Sequence, residues 1–327
     1  MTWFAIPVAF YSPETRLGYG GTGALHFAFA PALQTSDVQV IAVGTERSQA
    51  ILDLRTQLFP SEHLAVGATL KLAHYPDLFY GIGPATPRGA REEFTDRSLE
   101  VLLTSEWFLV PGRLRTGPRL WLRREQVVDV PPGGALAGGG VTGAGGAAAT
   151  GLGWSATWDS RYSRFAPSAG GLVEASHVVA PGAFGSRLHF GRGALDAKRF
   201  LRLGGAVVLG LATHLEWVHG TVPFTLLPRL GGDQNLRGFY EGRWRDRELA
   251  SAQAELRSPI AGRLGGVVFA GLAAVAPRLG AFEASPLRVA AGLGARYRIT
   301  EDGLNLRLDV GLGQEGAAVY FNLGEAF

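Results

Sequence analysis

The feature that most constrains this fold is an alternation of apolar and polar side chains with a period of two. The clearest case is 304–312, where leucine and valine at even positions alternate with Asn305, Arg307 and Asp309. Residues 287–298 and 63–72 repeat the pattern. A period of two is that of a β-strand with one apolar face. About sixteen such segments follow one another, so the sequence predicts an all-β fold.

Alternation alone fits two architectures, a soluble sandwich with an apolar core and a membrane barrel with an apolar outer face. The lengths of the connections distinguish them. Every second connection is, in most cases, short, and the three longest, 76–93, 130–146 and 219–247, all belong to the other set. Short turns at one end, long loops at the other and an even strand number are typical of bacterial barrels. We therefore predict an antiparallel transmembrane β-barrel formed by one domain, residues 1–327, with a soluble β-protein as the alternative.

Composition excludes several other classes of protein. No apolar run approaches the ~18–20 residues of a membrane helix, although 46% of the residues are hydrophobic. The absence of cysteine excludes disulfides and thiolate metal sites. A net charge of +3, without a basic helix, does not suggest a nucleic-acid partner. The seven histidines are scattered and no nucleophile elbow is present. We expect no metal, no cofactor and no enzymatic activity.

Two segments carry a distinctive arrangement of residues. Residues 231–247 are rich in arginine around the core Leu236-Arg-Gly-Phe-Tyr240, and residues 320–327 form an alternating strand that ends on Phe327. With Tyr11-Ser-Pro-Glu-Thr15, they resemble the BamA/TamA superfamily of outer-membrane assembly and translocation barrels, the bacterial surface antigens. The resemblance covers most of 204–327. It implies residence in the bacterial outer membrane and a last strand marked by Phe321, Leu323 and Phe327.

The resemblance also implies that a long loop, about 219–247, folds back into the barrel lumen. In the family, the arginine that matches Arg237 enters the lumen and pairs with carboxylates on the wall. Gly238 permits a tight turn at that point. A guanidinium away from bulk water needs a partner, and alternation places Glu255 and Asp309 on the lumen face. We call Arg237, Gly238, Phe239, Glu255 and Asp309 the loop lock, which either only anchors the loop or also serves translocation.

The chain departs from the family pattern in two ways. A strand motif Phe-x-Asp-x-Gly usually follows the loop, but here Phe269-Ala-Gly-Leu-Ala273 places Gly271 where the aspartate is expected. Family members also usually carry periplasmic POTRA domains before the barrel, whereas here strands begin almost at Met1. We therefore expect either a barrel-only member or a barrel cut from a longer chain. The periplasmic partner would then be a separate protein, or the activity would differ from that of the family. Met1-Thr-Trp-Phe lacks the marks of a signal peptide, so we expect a signal that was removed or misassigned.

Other segments suggest roles that remain open at this stage. Arg113, Arg115, Arg119 and Arg123 share one side of a predicted strand. This basic stripe either attracts anions or lipid head groups, or forms a charge ladder with Glu100 and Glu106. A Gly/Ala-rich loop, about 131–146, is too poor in apolar surface to order itself and predicts a flexible outer loop. The aromatic residues that suit girdles at the membrane interfaces are Trp107, Trp121, Trp217, Tyr75, Tyr297 and Tyr320.

The function implied by the resemblance is protein assembly, insertion or translocation through a lateral seam between the first and last strands. Pro7 lacks a donor for the ladder and Gly324 has no side chain, so few strong pairs should hold this edge. The expected partners are the lipid bilayer, outer-membrane protein clients and a periplasmic protein. The alternatives are a passive pore or structural barrel, and lipid handling at the outer membrane.

Overall fold

The protein is an antiparallel β-barrel in a computed structural model that describes residues 1–31, 33–163, 166–183, 185–186, 188–300 and 303–327. Within these residues sixteen strands close into one sheet, and two short strands pair inside a loop. The strands are β1 (Thr2–Ser12), β2 (Arg16–Phe27), β3 (Ser36–Thr45), β4 (Ala50–Ser61), β5 (Leu64–Phe79), β6 (Glu92–Val110), β7 (Leu114–Val128), β8 (Ala147–Asp159), β9 (Gly170–Ala180), β10 (Phe190–Gly204), β11 (Val207–Gly220), β12 (Arg229–Leu230), β13 (Trp244–Arg245), β14 (Glu248–Ala261), β15 (Leu264–Ala276), β16 (Arg288–Arg298), β17 (Asn305–Gly313) and β18 (Gly316–Leu323).

Helical structure in the described residues is confined to short turns. One α-helical turn, α1, spans Gly232–Asn235, and 3-10 turns span Arg88–Ala90, Phe224–Leu226 and Leu279–Ala284. Within the described part of the chain, none of these is long and apolar enough to cross a membrane.

Each barrel strand pairs with its neighbour in sequence, except that β11 pairs with β14 across the long loop and β1 pairs with β18. The outward faces are apolar: Leu308, Val310 and Leu312 of β17 are exposed, whereas Arg307 and Asp309 are buried inside. A row of exposed leucine and valine is stable only when lipid replaces water. The predicted sixteen-stranded barrel is confirmed, and the soluble alternative is wrong.

The long connections lie together at one end of the barrel. They span 80–91, 129–146 and 221–247, while the opposite end includes the tight turns 62–63, 205–206 and 262–263. By the rule that periplasmic turns are short, the end with the long loops is extracellular. The first of these loops is shorter than expected because β5 continues to Phe79 and β6 begins at Glu92.

The Gly/Ala-rich loop does not behave as predicted. Its Leu136 is buried in an aromatic cluster at the extracellular end of the lumen, where Val141 and Ala144 also pack. The carboxylate of Glu92 accepts the backbone N–H groups of Ala135 and Leu136 at 2.7 and 3.1 Å. The expectation that this segment is too poor in apolar surface to order itself is wrong. Its few apolar side chains pack against residues of the wall and of the long loop, which supply the missing apolar surface.

The seam between the first and last strands is short. Only Tyr11 and Phe321 are aligned across β1 and β18 among the described residues, whereas every other neighbouring pair in the barrel aligns at least eight positions. The last strand ends at Leu323, and Gly324, with φ +84°, turns the following residues inward. The expectation that this strand runs to Phe327 is wrong, because the left-handed backbone at Gly324 ends the ladder.

Candidate functional site

The long loop, residues 221–247, enters the lumen and packs against the inner wall. Its apolar side chains form a buried cluster with residues of β14, β15 and β16. The loop contributes Leu230, Leu236, Phe239 and Trp244 to this cluster, and the Phe239 and Trp244 rings meet edge to face. The pairing of β12 with β13 gives the loop a regular base. Apolar burial is therefore one contribution that holds the loop against the wall.

Arg237 lies at the centre of the loop and is fully buried. Its Nη1 donates a hydrogen bond to Asp309 Oδ2 at 2.7 Å, and its Nη2 lies 2.6 Å from Glu255 Oε2. The contact with Glu255 is an ion pair without hydrogen-bond geometry, since neither atom has a hydrogen-bond partner among the described residues. The ring of Phe269 lies 3.6 Å from the guanidinium carbon. The structure thus brings Arg237 together with both carboxylates named from the alternation of β14 and β17.

Three wall arginines share these carboxylates and extend the charged cluster. Arg257 Nε donates to Glu255 Oε1 at 2.8 Å, and Arg296 Nη1 donates to Asp309 Oδ1 at 2.6 Å. Arg307 Nη2 donates to Asp233 of the loop at 2.7 Å. Removing one charge from such a buried cluster leaves its partners uncompensated. These arginines were not among the predicted site residues, although the same alternation that selected Asp309 places Arg307 on the lumen face.

Gly238 brings the loop backbone against β17. Its φ is +114°, and a Cβ there would lie 3.1 Å from Gly313 N and 3.2 Å from Ala290 Cβ. The hydroxyl of Tyr320 accepts the Gly238 N–H at 3.1 Å and donates to Phe239 O at 3.2 Å. Tyr320 therefore faces the lumen, so its assignment to an interfacial girdle is wrong. Tyr75, which lines a lumen cavity, and Trp121, buried in the aromatic cluster, are corrected in the same way.

Gly271 leaves room for the loop. A Cβ at this position would lie 2.9 Å from Leu236 Cδ1 and 2.8 Å from Gln253 Cγ. An aspartate would therefore collide with Leu236. The acidic partners of Arg237 stand on β14 and β17 instead, and Phe269 keeps its place under the guanidinium.

A second tether joins the loop to the turn between β1 and β2. The carboxylate of Glu14 accepts the Glu241 N–H at 2.7 Å. Ser12 and Thr15 form a side-chain hydrogen bond at 2.9 Å that closes this turn. Burial raises the pKa of Glu14 to about 7, and the nearby Glu241 carboxylate adds to the rise. The motif 11–15 noted in the sequence thus holds the loop beside the first strand.

The predicted basic stripe is only partly formed. Arg113 is exposed in the turn before β7. Its N–H bonds to Val110 O, and the strand begins at Leu114. Placing Arg113 on the strand was therefore wrong. Arg115 binds Glu106 at 2.7 Å. Arg123 contacts three carboxylates, including Glu100 at 2.7 Å. Arg119 makes no salt bridge with the described residues. The contacts of Arg115 and Arg123 match the charge-ladder interpretation.

The residues of the predicted C-terminal signal occupy different environments. Phe321 aligns with Tyr11 at the seam and Leu323 ends β18. Phe327 lies inside the lumen with Phe200 and Val208. Its backbone oxygen accepts a hydrogen bond from Arg257 at 2.9 Å, and the side chain of Glu325 binds Arg296 at 2.8 Å. The residues after Gly324 therefore reach the charged cluster around Arg237.

A sixteen-stranded barrel with an arginine-anchored loop in its lumen defines a class of outer-membrane protein. A profile of the Omp85 superfamily domain matches residues 137–327, more than half of the chain. The chain belongs to the Omp85 superfamily and is an outer-membrane β-barrel protein. A comparison with curated protein sequences found no match.

Solved structures agree on the fold. The chain is similar to BamA from Haemophilus ducreyi lacking POTRA domains 1–3, with a TM-score of 0.68, 14% identity and coverage of 98% of this chain and 70% of that one. It is also similar to CdiB from Escherichia coli, with a TM-score of 0.66, 13% identity and coverage of 99% and 63%. CdiB from Acinetobacter baumannii gives a TM-score of 0.61, 12% identity and coverage of 98% and 59%. The chain thus spans less than two thirds of either CdiB chain.

Proposed function

We propose that this barrel inserts or translocates proteins at the outer membrane through the seam between β1 and β18. Membership of the Omp85 superfamily and the likeness to BamA and CdiB support this general function. The observation that carries the proposal is the single aligned pair, Tyr11 with Phe321, at the seam. A client strand and the lipid bilayer are the partners that such an opening serves.

An open sheet edge facing lipid is unfavourable, because unpaired N–H and C=O groups find no water there. The register Tyr11–Phe321 sets the end of β18 level with Ala9, so β1 continues beyond it toward the periplasmic end. Strands with free edges readily accept another strand. The free length of β1 is therefore suited to pair with an incoming client strand.

The side chains of β1 are also unlike those of the other strands. Both faces are apolar: Trp3 on the outward face is 76% exposed, and Phe4 and Ile6 on the opposite face are 43% and 37% exposed. An inward face of a barrel strand is normally polar, as in β17. Apolar groups on both sides of this free edge can contact the apolar side chains of an alternating client strand that is still partly unpaired.

The lumen loop contacts both sides of the seam at its extracellular end. It binds the β1–β2 turn through Glu14 and binds β17 and β18 through Asp309 and Tyr320. This bridge holds the extracellular end together while the periplasmic end stays free. We propose that the loop lock limits how far the seam opens.

The test is to close the seam covalently in a protein that has no native cysteine. Two double variants, Tyr11→Cys with Phe321→Cys and Ala9→Cys with Leu323→Cys, are bridged by a short bis-methanethiosulfonate crosslinker, which forms a reducible disulfide with each thiol and releases methanesulfinate. The proposal predicts that bridging stops insertion of an unfolded outer-membrane protein into liposomes and that reduction restores it. A matched control is Leu52→Cys with Leu72→Cys, which are aligned on the outward faces of β4 and β5.

The control should retain full activity when bridged, because β4 and β5 stay paired throughout. Undiminished insertion by the seam-bridged protein would rule out lateral opening. A barrel that conducts ions equally before and after bridging, and never accelerates insertion, would favour the passive pore instead.

A further inference from the structure

The outer surface of the barrel carries a groove that the lumen site does not involve. It has a volume of about 990 Å³ and runs over β2 to β7 on the membrane-facing side. Small outward residues, Ala42, Gly44 and Ala50, form its floor, and the apolar side chains of Tyr19, Leu52, Leu72 and Leu99 border it. The register aligns Gly44 with Ala50 and Leu52 with Leu72, so these residues share one face of the sheet.

A basic cluster lies at the extracellular end of this groove. His74 and Arg97 are aligned across β5 and β6, two residues beyond the pair Leu72–Leu99. Arg124 of β7 is aligned with Leu99 and shares this face. The outward surface thus changes from leucine to basic and polar residues at this level. Such a change marks the boundary between the acyl chains and the head groups.

The two arginines lack acidic partners. Neither Arg97 nor Arg124 makes a salt bridge within the described part of the chain. Arg97 Nε donates a hydrogen bond to His74 Nδ1 at 3.3 Å, so that ring nitrogen is the acceptor. The nearest acidic residue on the outward face of β6 is Glu93, four positions closer to the rim. Elsewhere in the barrel, arginines such as Arg123 and Arg237 are matched by carboxylates.

From this arrangement we infer a binding site for one lipid with a phosphate-bearing head group of net negative charge, held in the extracellular leaflet. Its acyl chains run from Gly44 and Ala50, which lie in the same row as His74, over Ala42 and Leu52 toward the membrane interior. Its phosphate lies between Arg97 and Arg124. A lipid is the occupant because the groove faces the bilayer. A phosphate is the ligand because two unpaired guanidinium groups favour an anion with several acceptor oxygens.

The experiment measures lipid binding to the purified full chain in detergent by native mass spectrometry. The probes are dioleoyl phosphatidylglycerol and dioleoyl phosphatidylcholine, which differ only in head group. We expect the wild type to retain phosphatidylglycerol preferentially. The double variant Arg97→Gln with Arg124→Gln should bind it about 30-fold more weakly, roughly fivefold for each arginine, and should lose the preference. Arg97→Lys with Arg124→Lys, which keeps both charges, should retain most of the binding.

Matched controls separate this site from general attraction. Arg247→Gln with Arg278→Gln removes the same charge from loops at the extracellular end and should leave binding unchanged. Ala50→Phe fills the groove and should reduce retention while both arginines remain. Heat-dependent migration on SDS gels checks that each variant forms a barrel. Equal retention by the Arg97/Arg124 variant, or displacement of the lipid by millimolar inorganic phosphate, would overturn the inference.

Discussion

The loop lock and the seam are two regions of one barrel wall that are stabilised in opposite ways. At the lock, Arg237 is fully buried between Glu255 and Asp309, and neighbouring arginines share the same carboxylates. At the seam, one aligned pair joins β1 to β18 and the end of the chain turns away. Backbone hydrogen bonds between strands therefore hold most of the wall together, whereas charged side chains help to hold the loop that bridges the seam.

The largest expected effect comes from removing the central charge. Arg237→Ala leaves Glu255 and Asp309 without their main partner on the loop, which costs about 3–5 kcal/mol for a buried pair and less in a wet lumen. We expect the loop to leave the wall and trypsin to cut after Arg243 or Arg245, detected as two fragments in proteoliposomes. The control Arg88→Ala removes an exposed arginine 3.7 Å from Glu315 and should leave the loop resistant. An intact, resistant loop in Arg237→Ala would mean that apolar packing alone anchors it.

A smaller effect is expected where the loop backbone meets β17. Gly238→Ala places a side chain at φ +114° against Ala290 and Gly313, which costs about 1–3 kcal/mol. On SDS gels the folded barrel and the heat-unfolded chain migrate differently. The temperature at which the band of the folded barrel disappears should fall. Gly89→Ala, in an open loop with nothing within 4 Å of the added atom, should leave it unchanged. Equal temperatures for the two variants would show that the contact at Gly238 is dispensable.

A third effect, of similar size, concerns the tether at Glu14 and depends on pH. Because the pKa of Glu14 is raised from 4.5 to about 7, the folded state holds a proton more tightly than the unfolded state. Stability should therefore fall as pH rises from about 4.5 to 7 and level off above that, by roughly 1–3 kcal/mol. Glu14→Gln keeps the oxygen that accepts the Glu241 N–H and should remove this component. Identical pH profiles of thermal unfolding for both proteins would contradict the assignment.

Much of the wall follows from the sequence because period two fixes which face of each strand is apolar. The same rule placed Glu255 and Asp309 in the lumen, where the structure has them within 2.7 Å of Arg237. Tyr320 and Trp121 were misassigned because an aromatic side chain suits either a lipid interface or a packed lumen, so the residue type alone does not identify its face. The inward turn after Leu323 rests on the backbone angle of one glycine, and the packing of Leu136 rests on partners far along the chain; neither leaves a local pattern.

The central claim is that β1 is paired on one side only along much of its length. In an antiparallel strand, successive N–H groups point alternately to the two neighbours. Residue-resolved hydrogen exchange of the barrel in lipid nanodiscs tests this claim most directly. Between Trp3 and Phe10 we expect slow exchange for amides bonded to β2 and fast exchange for those that face β18, with uniform protection along β15. Uniformly slow exchange along β1 would contradict the account, because the seam would then be closed.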